Sequence, residues 1–319
     1  MRRVIKTLLV LVLLVVAIAG GFRAASAFRE TDYRFSDPAP GGSFVSTEMG
    51  EIYVRDMGAP DGIPVLLVHG SVGWSKFWDE ASIALAEAGY RAISFDMPPM
   101  GYSQPDPDHD YSRVTQAGRI VALTRALEIK PHLVAHSFGA GAAVEAAMRR
   151  PSDFESLVIV NGALGLGADA AKTLPAVLEP VWLREVAVSL TVTNPFAMKP
   201  MLRSFLHRKE TATEELVALL REPFRLSGTT QSLAEWLPTL LVPPQGAFSM
   251  DRARYAELTL PTGIIWGRED RATPLAQGQE LNALISGSSL IVLDEIGHIP
   301  QIEDPAGFQA ALIEVLGAF

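Results

Sequence analysis

Short apolar runs alternate along the chain with longer stretches in which apolar residues recur every three or four positions, and this alternation predicts the elements. Strands are expected at 44–47, 51–55, 64–69, 92–95, 133–136, 157–160, 263–266 and 290–293. Val65-Leu66-Leu67-Val68 and Leu157-Val158-Ile159-Val160 are apolar throughout, the pattern of strands covered on both faces in a parallel sheet. Helical periodicity falls between the strands, at 76–88, 113–128, 138–150, 273–285 and 305–316. The third of these stops ahead of Pro151, whose ring disfavours helix in the residue before it. Strands that alternate with helices specify an α/β fold: a mostly parallel eight-stranded sheet with helices on both faces.

Two segments break the rhythm. From 164 to 255 no strand-like run occurs, and helix-like pieces at 177–190, 200–206 and 214–220 take its place. This interval reads as a helical cap inserted into a core made of 43–163 and 256–319. Its large apolar residues, Trp182, Phe196, Met198, Met201, Phe224, Trp236 and Phe248, are expected mainly to pack the cap onto the core, with some lining a ligand pocket. The other exception is N-terminal, where 7–22 carries no charge and follows Arg2, Arg3 and Lys6.

Residues 1–22 therefore read as a transmembrane anchor or a signal peptide, with Ala25-Ser26-Ala27 as an A-x-A cleavage site in the second case. Counted from Val4 to Phe22, the stretch roughly spans a ~30 Å hydrocarbon layer at about 1.5 Å per residue, which favours the anchor. The basic cluster should stay in the cytoplasm, placing the rest of the chain on the periplasmic or extracellular face, tethered or secreted. Residues 23–42, with Pro38, Pro40, Gly41 and Gly42, read as a juxtamembrane linker.

Composition narrows the function classes. The 319 residues include no cysteine, which excludes disulfide scaffolds, thiolate metal sites and cysteine nucleophiles. Lys+Arg of 27 against Asp+Glu of 36 gives −9, so nucleic acid is not an expected partner. His109, His132 and His207 show no ligand spacing with one another, and no metal or cofactor is expected.

The densest chemical pattern is Leu133-Val134-Ala135-His136-Ser137-Phe138-Gly139, where one serine joins an apolar strand to an alanine-rich helix. A serine there sits on a sharp, strained turn, and the residues two before and two after it, Ala135 and Gly139, must be tiny because strand and helix pass closely. Three loops follow other strands: His69-Gly70-Ser71-Val72-Gly73-Trp74, Asp96-Met97-Pro98-Pro99-Met100-Gly101-Tyr102-Ser103, and Gly267-Arg268-Glu269-Asp270. A last one is Gly297-His298-Ile299-Pro300-Gln301-Ile302-Glu303.

In this order the motifs resemble those of the α/β-hydrolase superfamily, with Ala135 in place of the first glycine of the nucleophile elbow and Pro99 in place of a glycine in the Asp-x-Pro-Gly loop. The resemblance covers 43 to the C terminus apart from the cap. It implies Ser137 as nucleophile, Asp270 as acid and His298 as base, the chain order usual in that fold. It also implies an oxyanion hole from the backbone amides of Ser71 and Phe138, with His69, Gly70, Ala135, His136 and Gly139 supporting the site. Glu269 and Asp294 compete with Asp270 for the acid. Asn161 ends the sixth strand, where a minority of relatives keep theirs.

The resemblance leaves several activities open. The first expectation is an ester hydrolase of carboxylesterase or lipase type, acting on a small apolar substrate through an acyl-enzyme. Carbon–carbon bond hydrolases of the superfamily use the same serine, and Gly297-His298 with Gln301 and Glu303 resembles their terminal motif, without the aromatic residue that often follows the histidine. Cofactor-free haloperoxidases share the triad, and some relatives are non-catalytic binding proteins. Dehalogenases and epoxide hydrolases of the fold carry aspartate where Ser137 stands.

Overall fold

The computed structural model describes residues 2–32, 41–165 and 173–319, leaving out the side chains at 2, 11, 12 and 15. All eight expected strands form, with ends moved by one or two residues: β1 (Ser43–Thr47), β2 (Gly50–Met57), β3 (Ile63–Val68), β4 (Tyr90–Phe95), β5 (His132–His136), β6 (Ser156–Val160), β7 (Thr262–Gly267) and β8 (Ser289–Leu293). They build one sheet in the order β1-β2-β4-β3-β5-β6-β7-β8. β2 runs antiparallel to β1 and β4, and the other pairings are parallel.

The helices are α1 (Arg2–Arg29), α2 (Asp79–Glu87), α3 (Arg113–Ala126), α4 (Phe138–Arg149), α5 (Val181–Leu190), α6 (Met198–Phe205), α7 (Glu214–Arg221), α8 (Thr229–Trp236), α9 (Pro238–Leu241), α10 (Leu275–Leu284), α11 (Pro300–Glu303) and α12 (Pro305–Gly317). Successive side chains of a strand point to opposite faces, and the sheet uses both. Leu66, Val68, Leu133 and Ala135 pack with α3, α4 and α10 on one face. Val65, Leu67 and Val134 pack with α2 and α12 on the other. Full burial of the parallel strands explains why their sequence is apolar without alternation.

Helices α5 to α9 lie between β6 and β7 and form the cap. Helix α8 escapes apolar periodicity because it buries Thr229, Thr230 and Ser232. Their polarity is absorbed locally, since the Thr229 hydroxyl donates to the Pro223 carbonyl and Thr230 bonds both Thr193 and Glu30.

The N-terminal reading needs correction at its boundary. Helix α1 does not end near residue 22 but continues to Arg29, and 23–32 is joined to the cap. Arg23 pairs with Glu185 at 2.6 Å, and Arg29 donates to the Thr193 carbonyl at 3.1 Å. The Asp32 N–H donates to the Arg225 carbonyl, and the Ser227 N–H donates back to the Asp32 carbonyl. Ser26 is buried at this contact. The expected linker thus begins as a docked helix end, and its part at 33–40 lies outside the described residues. Among the described residues no helix is long and apolar enough to cross a membrane. Positions 11, 12 and 15 of the apolar run fall outside that description.

Candidate active site

Ser137 sits between β5 and α4 at φ 53° and ψ −123°, a left-handed conformation that costs an L-residue about 1–3 kcal/mol and persists only where its surroundings enforce it. They do so here by close approach. A Cβ on Gly139 would lie 2.3 Å from the His69 carbonyl oxygen, so the helix can start this near the β3 loop only with glycine there. Ala135 is fully buried between the same elements, and its small side chain takes the place of the usual glycine.

The three expected residues meet although they are distant in sequence. The Ser137 Oγ lies 2.8 Å from His298 Nε2, and His298 Nδ1 lies 2.7 Å from Asp270 Oδ2. All three are 5 or 6% exposed. Burial by itself would raise the Asp270 carboxyl, but hydrogen bonds from His298, Thr273 and Asn161, with the charge of His298, hold it below the ordinary carboxylate range. Its Oδ1 accepts the N–H groups of Ala272 and Thr273 at 2.8 and 2.9 Å. Its Oδ2 accepts Thr273 Oγ1 and Asn161 Nδ2, each at 2.6 Å. The competing acids are occupied elsewhere: Asp294 pairs with Arg268 at an exposed site, and Glu269 accepts the Ile296 N–H.

Several supporting residues were not singled out as site residues from the sequence. Thr273 and Asn161 hold the acid, and a polar residue ending a strand beside the acid loop was the available signal. Glu303 accepts the N–H of Gly297 with one oxygen and those of His207 and Arg208 with the other, tying the histidine loop to the cap. The His298 N–H donates to the Phe205 carbonyl at 2.8 Å, so the cap helps to position the base.

His69, Gly70 and His136 surround the elbow as expected. His69 Nε2 accepts the Met97 N–H at 2.9 Å, and its Nδ1 bonds the Gly70 carbonyl at 2.7 Å. His136 Nε2 bonds the His298 carbonyl at 2.8 Å. Burial pushes His69 down to about 4, and burial with repulsion from His298 pushes His136 down to about 3. Neither ring binds a proton in the fold until far below the ~6.5 at which it does so in the unfolded chain. The unfolded state therefore gains protons first as pH falls, and stability is lost below about pH 6.5. Between pH 6.5 and 5 the free energy of unfolding should drop by about 2 kcal/mol for each ring. Urea unfolding at the two pH values checks this, and equal stabilities would refute neutral burial of the pair.

The two residues expected to form the oxyanion hole lie on different elements. Phe138 opens α4, where the first N–H groups lack intrahelical partners, and Ser71 lines the neighbouring cavity. Asp96 holds the loop that carries Ser71, accepting the N–H groups of Ser75 and Tyr102 at 2.6 and 2.7 Å. The cavity above Ser137 and His298 has a volume of about 170 Å³, with core residues such as Phe77 and Ile299 on one side and cap residues such as Met198, Phe205 and Trp236 on the other. Of the large cap residues, Met198, Met201 and Trp236 line it. Trp182 and Phe196 are exposed, Phe248 lies between the guanidinium groups of Arg149 and Arg254, and Phe224 packs within the cap. Among the described residues no group of three or more potential metal ligands occurs.

A buried Ser–His–carboxylate chain opening on an apolar cavity can activate a hydroxyl for attack on a carbonyl carbon. Residues 63–305 match the family model for the alpha/beta hydrolase fold. The chain belongs to that family.

Relatives of this α/β hydrolase point to a narrower group. It is 30% identical over 263 residues to 2-hydroxy-6-oxononadienedioate/2-hydroxy-6-oxononatrienedioate hydrolase 2 of Pseudomonas putida, covering 79% of this chain and 87% of the relative. It is 30% identical over 268 residues to 2-hydroxymuconate semialdehyde hydrolase of a Pseudomonas species, covering 82% and 89%. The crystal structure of a meta-cleavage product hydrolase from Pseudomonas fluorescens superposes with a TM-score of 0.71 at 28% identity, covering 87% of this chain and 98% of that one. These are hydrolases named for meta-cleavage products and dienoates, so the first expectation, a carboxylesterase, is less well supported than the carbon–carbon alternative.

Proposed function

We propose that this hydrolase cleaves the carbon–carbon bond beside a ketone in a small substrate, with Ser137 as nucleophile, His298 as acid–base and Asp270 as the partner of the imidazole. The observation that carries this reading is the continuous chain from Ser137 Oγ through His298 to Asp270, at 2.8 and 2.7 Å, facing the cavity. The names of the relatives give the substrate class.

In the first step the Ser137 Oγ bonds to the ketone carbon while His298 Nε2 takes the hydroxyl proton. The carbonyl oxygen becomes an oxyanion, which the Ser71 and Phe138 amides are suited to receive; losing one such donor costs about 10²–10³ in rate at comparable sites. Collapse restores the carbonyl and breaks the carbon–carbon bond. For a dienol substrate the 2-hydroxyl proton first moves to the carbon beside the ketone, so that the departing carbanion is delocalised through the resulting conjugated enone and receives the proton from His298. Water then adds to the acyl-enzyme with His298 again as base, releasing a carboxylic acid and free Ser137.

A second reading, hydrolysis of a short-chain ester by the same residues, is favoured by one feature of the cavity. Among the described residues that line it, none is lysine or arginine, whereas the dienoates of the relatives' names carry carboxylates, which are costly to bury without a cation. The two readings separate on 2-hydroxy-6-oxohepta-2,4-dienoate, followed by loss of dienol absorbance, against p-nitrophenyl butyrate. A kcat/KM at least tenfold higher on the dienoate is expected. The reverse ratio would overturn the carbon–carbon reading in favour of the ester.

We infer further that α1 is retained and associates with a lipid membrane. Val4, Ile5, Leu8, Leu9, Val10, Leu13, Leu14 and Ile18 are each at least half exposed, and together they leave no polar stripe on the helix, an arrangement suited to lipid. Cleavage after Ala27 would remove Arg23 and Ser26 from the contact with the cap, which argues for retention. Flotation with lipid vesicles tests this association: the full-length chain should rise with the vesicles, and a chain that stays behind would refute it.

A further inference from the structure

We propose that the N-terminal end of α5, with Val177, Val181 and Trp182, is a lipid-contacting surface continuous with the apolar part of α1, which seats the cap at the membrane surface. The proposal rests on the membrane reading of α1 and goes beyond it by assigning a second, cap-borne surface to the same bilayer.

The register of two helices brings these groups together. Arg23 meets Glu185 and Arg29 meets Thr193, so α1 and the α5 segment run parallel along their contact. Trp182 precedes Glu185 by three residues, about 4.5 Å nearer the N-terminal half of α1. It therefore lies level with about Gly20, inside the uncharged stretch 7–22 and just short of Arg23, the first charge to follow that stretch. An exposed amphipathic indole at the level where an apolar helix meets its first charge is the arrangement found at the headgroup level of bilayers.

Exposure singles out the same place. Trp182 is 64% exposed, whereas the other four tryptophans, Trp74, Trp78, Trp236 and Trp266, are at most 1% exposed. Val177 at 63% and Val181 at 39% accompany it. Glu179, exposed between them, is a carboxylate and limits entry to headgroup depth. A second copy of the chain would cover one stripe of α1, whereas exposed apolar side chains occur all round it, so a bilayer is the occupant that accounts for both surfaces.

The cavity wall is attached to this surface. Val192, which lines the cavity, stands two residues past the end of α5, whose first turn carries Trp182. Thr193 and Thr230, bonded to each other, are held by Arg29 and Glu30 of the N-terminal segment.

The test uses the full-length chain with phosphatidylcholine–phosphatidylglycerol vesicles whose upper acyl chains are brominated, because bromine quenches indole only on close approach. Co-flotation with the vesicles is expected. Bromolipid should lower the emission by roughly a fifth, the share of one tryptophan among five, and Trp182→Phe should abolish that loss while still floating. If the bound protein floats but Trp182 stays open to aqueous iodide and insensitive to bromolipid, the cap surface is not in lipid and this proposal fails, with the α1 reading intact. Trp182 shielded from both quenchers, together with a dimer in sedimentation, would assign the surface to a second copy and also overturn it. Failure to float would overturn the α1 reading and this one with it.

Discussion

Ser137→Ala is expected to abolish covalent capture by a fluorophosphonate and to lower kcat by about 10⁶, the scale seen when the nucleophile of a serine hydrolase is removed. The change deletes one oxygen whose partner is His298 Nε2 at 2.8 Å. Alanine occupies the same left-handed turn at φ 53° and fills no new space, so thermal unfolding should shift by only a few degrees. The two readouts belong together, because loss of labelling in a variant that still folds cannot be ascribed to unfolding. Full labelling of the variant would place the covalent centre elsewhere and refute both readings of the function.

Much of this was legible in the sequence because the same physical demands act locally and globally. Strands β3, β5 and β6 are buried on both faces, so their apolar runs announce a parallel sheet before any contact is known. The elbow is legible for a steric reason: a strand, a strained serine and a helix cannot be joined so tightly unless the flanking positions are small, which Ala135 and Gly139 satisfy. What was not legible depends on long-range contacts. Helix α8 is polar in composition because its hydroxyls bond Glu30, Thr193 and Pro223, and periodicity cannot register partners so distant in sequence. The length of α1 was missed similarly, since Arg23 and Arg29 read as the start of a linker until Glu185 and the Thr193 carbonyl are seen to receive them. Asn161 stands where a minority of relatives keep the acid and cannot itself be a carboxylate; its amide donates to the acid instead.

That donor changes what should follow from removing the acid's charge. Asp270 receives five hydrogen bonds, from His298, Asn161, Thr273 Oγ1 and the N–H groups of Ala272 and Thr273. Asp270→Asn keeps the shape but turns one acceptor into an NH₂ group, which must then face at least two buried donors. On the Oδ2 side it opposes His298 Nδ1, favouring the tautomer with the proton on Nε2, where no lone pair remains to accept the Ser137 proton. On the Oδ1 side it opposes two backbone N–H groups, with a penalty of about 1–3 kcal/mol for each donor left unsatisfied. Either placement is harmful, so a fall in kcat of up to about 10⁴ is expected, together with a measurable loss of stability. Fluorophosphonate labelling should persist at a reduced rate, since Ser137 remains. Glu269→Gln and Asp294→Asn, whose carboxylates bond the Ile296 N–H and Arg268 instead, should stay within severalfold of the parent. Steady-state kinetics on whichever substrate is turned over decides the matter, with circular dichroism to confirm folding. An Asp270→Asn enzyme within tenfold of the parent would mean that this carboxylate, despite its place on His298, does not orient the base.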